Sequence, residues 1–256
     1  MITVPVELIE VGGSSLWLFF AVFLRVAALT SVLPAFGERS VPTRIKIALA
    51  ICFTLLVAPN IPFFETPKTF PGFAKLVLTE TIAGLALGLG LRLMVLALQT
   101  AGSIAAQSTS LSQLLGGAAV DPLPAMGYVL VLGGLALAVM AGLHVRAVAL
   151  LVLSYDLLPA AAFPDGRLLS EWGLQQVSRT FALAFTLSAP FVIASLIYNL
   201  ALGAINRAMP QLMVAFVGAP VITMGGLVLL FVTAPVLLQV WLEALVAFTN
   251  NPLGPF

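Results

Sequence analysis

Six long apolar runs, separated by short polar and turn-rich stretches, organise this chain. They lie at residues 16–33, 45–64, 74–98, 126–162, 181–204 and 209–248. A helix that spans a bilayer needs about 20 apolar residues, which suits four of the runs. The runs at 126–162 and 209–248 are too long for one span. Gly142, His144 and Arg146 interrupt the first, and Pro220 and Pro235 the second, so each is either a kinked helix or a tight hairpin.

The stretches between the runs, such as 34–44, 65–73 and 164–178, are too short to form a soluble domain. The chain also has no repeat of fixed period, no low-complexity tract and no linker. We therefore predict a single domain over residues 1–256. Its fold class is all-α, a polytopic membrane protein of long apolar helices and helix hairpins.

Composition supports a membrane location and excludes several functions. Hydrophobic residues make up 61% of the chain and charged residues 8%, and the mean hydropathy is +1.14. A soluble domain has roughly a quarter of its residues charged. The net charge of +1 indicates no polyanionic partner, and the sequence shows no basic patch for nucleic acid. Cys52 is the single cysteine, so no intrachain disulfide forms.

The residues before the first apolar run contain Glu7 and Glu10 but no lysine or arginine. A cleavable signal peptide begins with a basic region, so we expect the first run to remain as an anchor. Orientation is not predicted, because lysines and arginines are equally numerous in alternate connections. That balance indicates insertion with partner subunits, an arrangement other than a simple series of spans, or only a weak bias in a small sample.

Charged residues inside the apolar runs must face protein or water, because a charge in the middle of a bilayer costs a few kcal/mol or more. The intramembrane or interfacial charges are Arg25, Arg39, Arg44, Lys46 and Arg92, and the acid is Glu80. Glu80, Gly84 and Gly88 recur every four residues, which favours close packing against another helix. Glycine is also common in membrane helices without such a role.

The segment NLALGAINRAMPQL, at 199–212, is too polar to face lipid. One side of a continuous helix would carry Asn199, Gly203, Asn206 and Pro210, with Arg207 and Gln211 as a second pair. These polar groups need hydrogen-bonding partners, which a helix hairpin, a neighbouring subunit or a wet lumen would supply. A plain turn between two spans is the alternative.

The segment QSTSLSQLLGGAAVDP, at 107–122, is moderately polar, rich in small residues and almost uncharged. Gly116, Gly117 and the turn at 121–124 argue against one rigid helix. The segment is either a re-entrant or luminal loop, or a surface loop with a short interfacial helix.

Catalytic motifs are missing from the sequence. His144 is the only histidine, and HExxH, GxSxG and GxGD do not occur, so we expect neither an enzyme nor a cofactor. His144, Arg146 and Asp156 form either a proton relay or an interfacial cluster. A small secondary transporter would show paired half-repeats, and none is evident.

Four segments in order resemble the FliR/SctT family of type III secretion export-gate subunits. They are LRVAALTSVLPAFGERSVPTRIKIALA at 24–50, QSTSLSQLLGGAAVDP at 107–122, AGLHVRAVALLVLSYDLLP at 141–159 and NLALGAINRAMPQL at 199–212. The first combines an apolar helix containing an arginine, a proline turn and a VPxRxK sequence before the next helix. The resemblance extends over nearly the whole chain.

The resemblance implies a non-enzymatic subunit of a multi-subunit flagellar export gate. Expected partners are FliP-like and FliQ-like membrane subunits, an FlhB-like subunit, unfolded exported polypeptides and membrane lipid. The expected location is the flagellar basal body in the bacterial inner membrane. An injectisome homologue of the same family is the alternative, followed by a small secondary transporter.

The resemblance also implies that the segment at 107–122 plugs the closed lumen. Its expected plug residues are Gln107, Ser108, Ser110, Leu111, Gln113, Leu114, Gly116, Gly117, Asp121 and Pro122. The family pattern contains fewer glycines here, so the conformation of the plug is not carried over. For subunit or hairpin packing we predict Glu80, Gly84, Gly88, Asn199, Gly203, Asn206, Arg207, Pro210 and Gln211.

Overall fold

A computed structural model describes residues 6–64, 67, 69–109, 125–209 and 214–254. All regular secondary structure in these residues is helical, which confirms the all-α prediction. The helices are α1 (Val6–Val32), α2 (Thr43–Val57), a 3₁₀ turn (Ala58–Asn60), α3 (Phe70–Thr109), α4 (Ala125–Met140), α5 (Leu143–Leu157), α6 (Gly166–Ala208) and α7 (Val214–Asn250).

Length and composition identify this chain as a polytopic membrane protein. Five stretches among the described residues are long and apolar enough to cross a membrane, in α1, in α2 with its 3₁₀ turn, and in α3, α6 and α7. The pair α4 and α5, which is bent by 71° at its break, makes a sixth if it is counted as one span. α3 has 40 residues and α6 has 43. At about 1.5 Å per residue each is roughly 60 Å long, about twice the hydrocarbon thickness of a bilayer.

The two over-long runs have different structures. Ala141 and Gly142 separate α4 from α5, and Gly142 has φ +78° at the start of α5. Glycine adopts this left-handed conformation without the steric cost that a side chain brings. The second run forms the single helix α7, which continues through Pro220 and Pro235. Proline is tolerated inside membrane helices because neighbouring helices, serine and threonine side chains, ordered waters and local changes in helix geometry satisfy the backbone groups that it frees.

The described residues cluster into two compact units. The first comprises Met1–Arg92, Val139–Gln176 and Val246–Phe256. In its interior, α2 contributes the buried Ala50, Phe53, Thr54 and Val57. In the same unit, the rings of Trp17, Phe20 and Phe73 form an aromatic group, with centroids 5.6 to 6.1 Å apart. Aromatic pairs at this separation stabilise beyond their buried area.

The second unit comprises Leu93–Ala138 and Val177–Leu245. Trp241 is its largest fully buried side chain, and its indole Nε1 donates a hydrogen bond of 2.8 Å to the carbonyl of Met94. A Cβ placed on Gly134 would lie 2.4 Å from Leu98 Cδ1 and 3.3 Å from the Trp241 ring. The small residue therefore makes room first for Leu98 and also for the indole, in accordance with the close packing of protein interiors. The prediction of a single domain over both units stays a prediction.

Candidate functional site

Gly84 and Gly88 bring α3 into close contact with α1. A Cβ at Gly84 would lie 2.2 Å from the backbone oxygen of Arg25, and one at Gly88 would lie 2.3 Å from Val32 Cγ2. No side chain fits at these distances, so glycine lets the two backbones approach. The face that the four-residue spacing indicates is the face that α3 turns toward α1.

Glu80, one helical turn before Gly84, pairs with Arg25 across this contact. Arg25 Nε lies 2.8 Å from Glu80 Oε2, and Nη2 lies 3.3 Å from Oε1. The side chains are 1% and 0% exposed. The geometry is bidentate, which gives a charged pair its strongest and most directional form. Two charges that the sequence placed in separate apolar runs thus neutralise each other.

The same pair fixes the carboxyl end of α5. Arg25 Nη1 donates to the carbonyl and the hydroxyl of Ser154, at 3.1 and 3.0 Å, and Nη2 donates to the carbonyl of Leu158 at 2.9 Å. The last carbonyls of a helix have no partner within it. The Ser154 carbonyl also accepts a hydrogen bond of 2.8 Å from the Leu158 N–H, so Arg25 is its second donor, and Arg25 supplies a donor for the Leu158 carbonyl as well. With the bonds to Glu80, these contacts satisfy the N–H groups of the Arg25 side chain.

Tyr155 and Ala161 complete the network. The Tyr155 hydroxyl donates to Glu80 Oε2 at 3.1 Å, and the Ala161 N–H donates to Oε1 at 3.2 Å. The Arg25 guanidinium carbon lies 3.7 Å from the centre of the Tyr155 ring, a cation–π contact. Ala161 has φ +56°, an unfavourable conformation for alanine. The Glu80 contact helps to hold it there.

The turn between α1 and α2, residues 33–42, holds a second group of charges. Arg92 on α3 forms an ion pair with Glu38, and both side chains are partly exposed. Lys46 Nζ donates to the Gly37 carbonyl at 2.8 Å. Arg39 and Arg44 are exposed. We name residues 33–44, the turn together with the start of α2, the basic turn.

The polar segment at 199–208 forms the carboxyl end of α6, which packs beside the start of α7. The Tyr198 hydroxyl donates to the Gly218 carbonyl at 2.7 Å. Asn199 Nδ2 lies 3.2 Å from Ser195 Oγ. Asn206 and Arg207 are exposed, and a Cβ on Gly203 would meet no atom within 4 Å. Pro210 and Gln211 lie outside the described residues.

Only the first residues of the proposed plug are described, and they end α3. Gln107 is exposed, Ser108 is half-buried, and the Ser108 carbonyl accepts a hydrogen bond of 2.5 Å from Ser195 Oγ. This bond joins the end of α3 to α6. The plug positions outside the described residues are Ser110, Leu111, Gln113, Leu114, Gly116, Gly117, Asp121 and Pro122. The plug role stays a prediction.

Several residues of these contacts were not found by sequence reasoning. Ser154 and Tyr155 belong to the polar interruption SYD in an apolar run, a signal that was available. The Asp156 side chain is exposed, as is His144 at the other end of α5. At about 1.5 Å per residue the two are roughly 18 Å apart along the helix, which disfavours a proton relay between them. Trp241 gives no signal in the sequence that would identify Met94 as its partner.

Within the described part of the chain, no three histidine, cysteine, aspartate or glutamate side chains are grouped to hold a metal ion. The oppositely charged groups brought together there are the arginine and carboxylate pairs described above and the exposed pair of Arg167 and Glu171 on α6. What the arrangement offers is charge neutralisation, helix anchoring and exposed polar surface.

Comparison with known proteins yields similarity over most of the chain. A family model described as bacterial export proteins, family 1, matches residues 16–247. The flagellar biosynthetic protein FliR of Caulobacter vibrioides is 31% identical over 226 residues, which cover 87% of this chain and 90% of the relative. FliR of Escherichia coli is 32% identical over 230 residues, covering 86% and 85%. FliR of Bacillus subtilis is 28% identical over 232 residues, covering 87% and 88%.

Proposed function

Because this chain belongs to the bacterial export proteins, family 1, we propose that it is a non-enzymatic core subunit of the flagellar protein export gate. Its family and its spanning helices make it a membrane-embedded component of the flagellar export apparatus. The finer proposal is that it forms a channel for unfolded flagellar subunits with FliP-like and FliQ-like subunits, and that an FlhB-like subunit attaches to it. The channel would belong to the flagellar basal body in the inner membrane.

The exposed polar end of α6 carries this proposal. Asn206 and Arg207 are exposed, and no described residue offers either side chain a hydrogen bond or an ion pair. Polar groups in an otherwise apolar chain need partners or water. Gly203 nearby leaves open space. A neighbouring subunit that packs against this end of α6 would supply partners for the polar side chains and fill that space.

The outer surfaces of α6 and α7 support an assembly of several subunits. Only 33% of the apolar window in α6 and 22% of that in α7 are buried within the chain. Large apolar side chains such as Phe185 and Phe231 are exposed, the latter by 84%. Patches of this kind on a membrane protein meet lipid or sister helices. α3 and α6 are also longer than a bilayer requires, which suits a gate that extends beyond the membrane.

The proposed mechanism is mechanical. A closed export gate must stop ions and still admit an extended polypeptide, so small and apolar side chains seal the lumen while a displaceable segment opens it. We assign the sealing role to residues 107–122, as the family resemblance implies. The buried pair of Arg25 and Glu80 would hold α1, α3 and α5 rigid while that segment moves.

Affinity purification from native membranes, followed by mass spectrometry, tests the proposal. We expect FliP-like and FliQ-like proteins to co-purify with the tagged chain in fixed ratio, and the Asn206→Ala/Arg207→Ala variant to recover less of them. A chain that purifies alone and catalyses solute uptake in vesicles would instead be a transporter. Recovery with injectisome proteins would place it in the other branch of type III secretion.

A further inference from the structure

Four cationic side chains lie in or beside the basic turn, and two of them have a partner within the chain. Arg92 pairs with Glu38, and Lys46 donates to the Gly37 carbonyl. The first contact joins the turn to α3, and the second joins it to α2. The pair with Arg92 also uses the single acidic side chain of the turn, Glu38, as a counter-ion.

Arg39 and Arg44 remain directed outward. Both side chains are exposed, and no described residue forms a hydrogen bond or ion pair with either of them. The first turn of α2 contains no acidic residue. The basic turn therefore carries two positive charges that its own fold does not neutralise, beside a helix apolar enough to span a membrane.

The outward face of α2 continues from these arginines as an apolar surface. Ile47, Ile51 and Leu55 recur every four residues and are about half exposed, at 49%, 48% and 57%. Residues four apart lie above one another on a helix. The opposite face carries Phe53, Thr54 and Val57, which are buried. One side of α2 thus combines a cationic end with an apolar strip.

We propose that this side of α2 binds an anionic phospholipid. The phosphate lies between Arg39 and Arg44, and an acyl chain lies along Ile47, Ile51 and Leu55. Guanidinium groups match phosphate oxygens in a bidentate geometry, and arginines next to an apolar span attract anionic headgroups. An acidic protein would satisfy the arginines but would not supply an apolar partner for the adjoining strip of isoleucine and leucine. The proposal rests on membrane embedding and is independent of the export role.

Native mass spectrometry of the full chain in mild detergent tests this. Phosphatidylglycerol and phosphatidylcholine with the same acyl chains are titrated separately. We expect the wild type to bind phosphatidylglycerol more tightly. In Arg39→Gln/Arg44→Gln we expect the affinity for phosphatidylglycerol to fall roughly tenfold and the affinity for phosphatidylcholine to stay unchanged. Arg39→Lys/Arg44→Lys should retain only part of the preference, because the charge is kept and the bidentate guanidinium geometry is lost.

The control is Lys75→Gln/Arg167→Gln, which removes the same formal charge from two other exposed positions. Equal loss of phosphatidylglycerol binding in the control would mean general electrostatic attraction and would overturn the site. The site would also be overturned if the wild type bound the two lipids equally well. That measurement does not depend on the folding of any variant. Inorganic phosphate that competes as strongly as the lipid, or an acidic polypeptide captured through these arginines in place of lipid, would likewise overturn it.

Discussion

Arg25 on α1 and Glu80 on α3 form a bidentate ion pair that is almost fully buried, although 55 residues separate them in the chain. Desolvating two charges is costly, and a buried pair is retained only where the remaining donors and acceptors are also satisfied. Here Ser154, Tyr155, Leu158 and Ala161 satisfy them. The pair is therefore the centre of a network that joins α1, α3 and α5.

Loss of one member of this pair should destabilise the chain strongly. Arg25→Met leaves the Glu80 carboxylate buried without its counter-ion, which costs about 3–5 kcal/mol of unfolding free energy. We expect a large drop in the thermal midpoint in detergent, or loss of expression. Arg25→Met/Glu80→Met should be less damaging than the sum of the single variants, because the uncompensated charge is absent. Additive effects in this double-mutant cycle would argue against coupling.

Gly84 should tolerate no larger residue. Gly84→Ala places a methyl group 2.2 Å from the Arg25 backbone oxygen, so α1 and α3 must separate and the ion pair must stretch. We expect destabilisation of about 1–3 kcal/mol, the usual cost of overpacking. Gly225→Ala is the matched control in α7, because its Cβ meets no atom within 4 Å and alanine favours helix. If the two variants have the same melting temperature, α1 and α3 do not approach each other as closely as described.

Asn206→Ala/Arg207→Ala should impair assembly without unfolding the subunit. Exposed substitutions usually change unfolding free energy by no more than about 0.5 kcal/mol, so the melting temperature should remain near that of the wild type. Secretion and recovery of partner subunits should fall together. Arg167→Ala serves as the control, since its pair with Glu171 is exposed and contributes little. Wild-type assembly and secretion in the double variant would remove this end of α6 from the proposed interface.

Deletion of residues 110–118 should raise ion leak through the assembled complex, because the proposed plug would be shortened. Conductance in planar bilayers and membrane potential in cells are the measurements. Replacing the same residues with an equal number of glycines and serines keeps the length of the segment but removes its apolar side chains. This variant therefore distinguishes the effect of length from the effect of the apolar side chains. Unchanged conductance in the deletion would mean that another segment seals the lumen.

The basic turn shows how far local pattern extends toward function. The sequence identifies Arg39, Arg44, Lys46 and Arg92 as interfacial or intramembrane charges, from their position at the edges of apolar runs or within them. It does not say which of these charges form an ion pair or a hydrogen bond within the chain. Arg92 and Glu38 are 54 residues apart, so their pairing depends on how α3 lies against the turn. Only that pairing leaves Arg39 and Arg44 available.

The sequence alone determined that this protein is built from apolar helices in a membrane, because helix formation and transfer into lipid depend on the local run of side chains. The glycine spacing on α3 also predicted a close helix contact, since residues four apart share a face. Tertiary structure decided what the sequence left open: that the run at 126–162 breaks into two helices before Leu143, that α7 continues through Pro220 and Pro235, and that Glu80 is the partner of Arg25. Those outcomes depend on contacts between residues far apart in the chain, where many pairings suit the same pattern and only packing selects one.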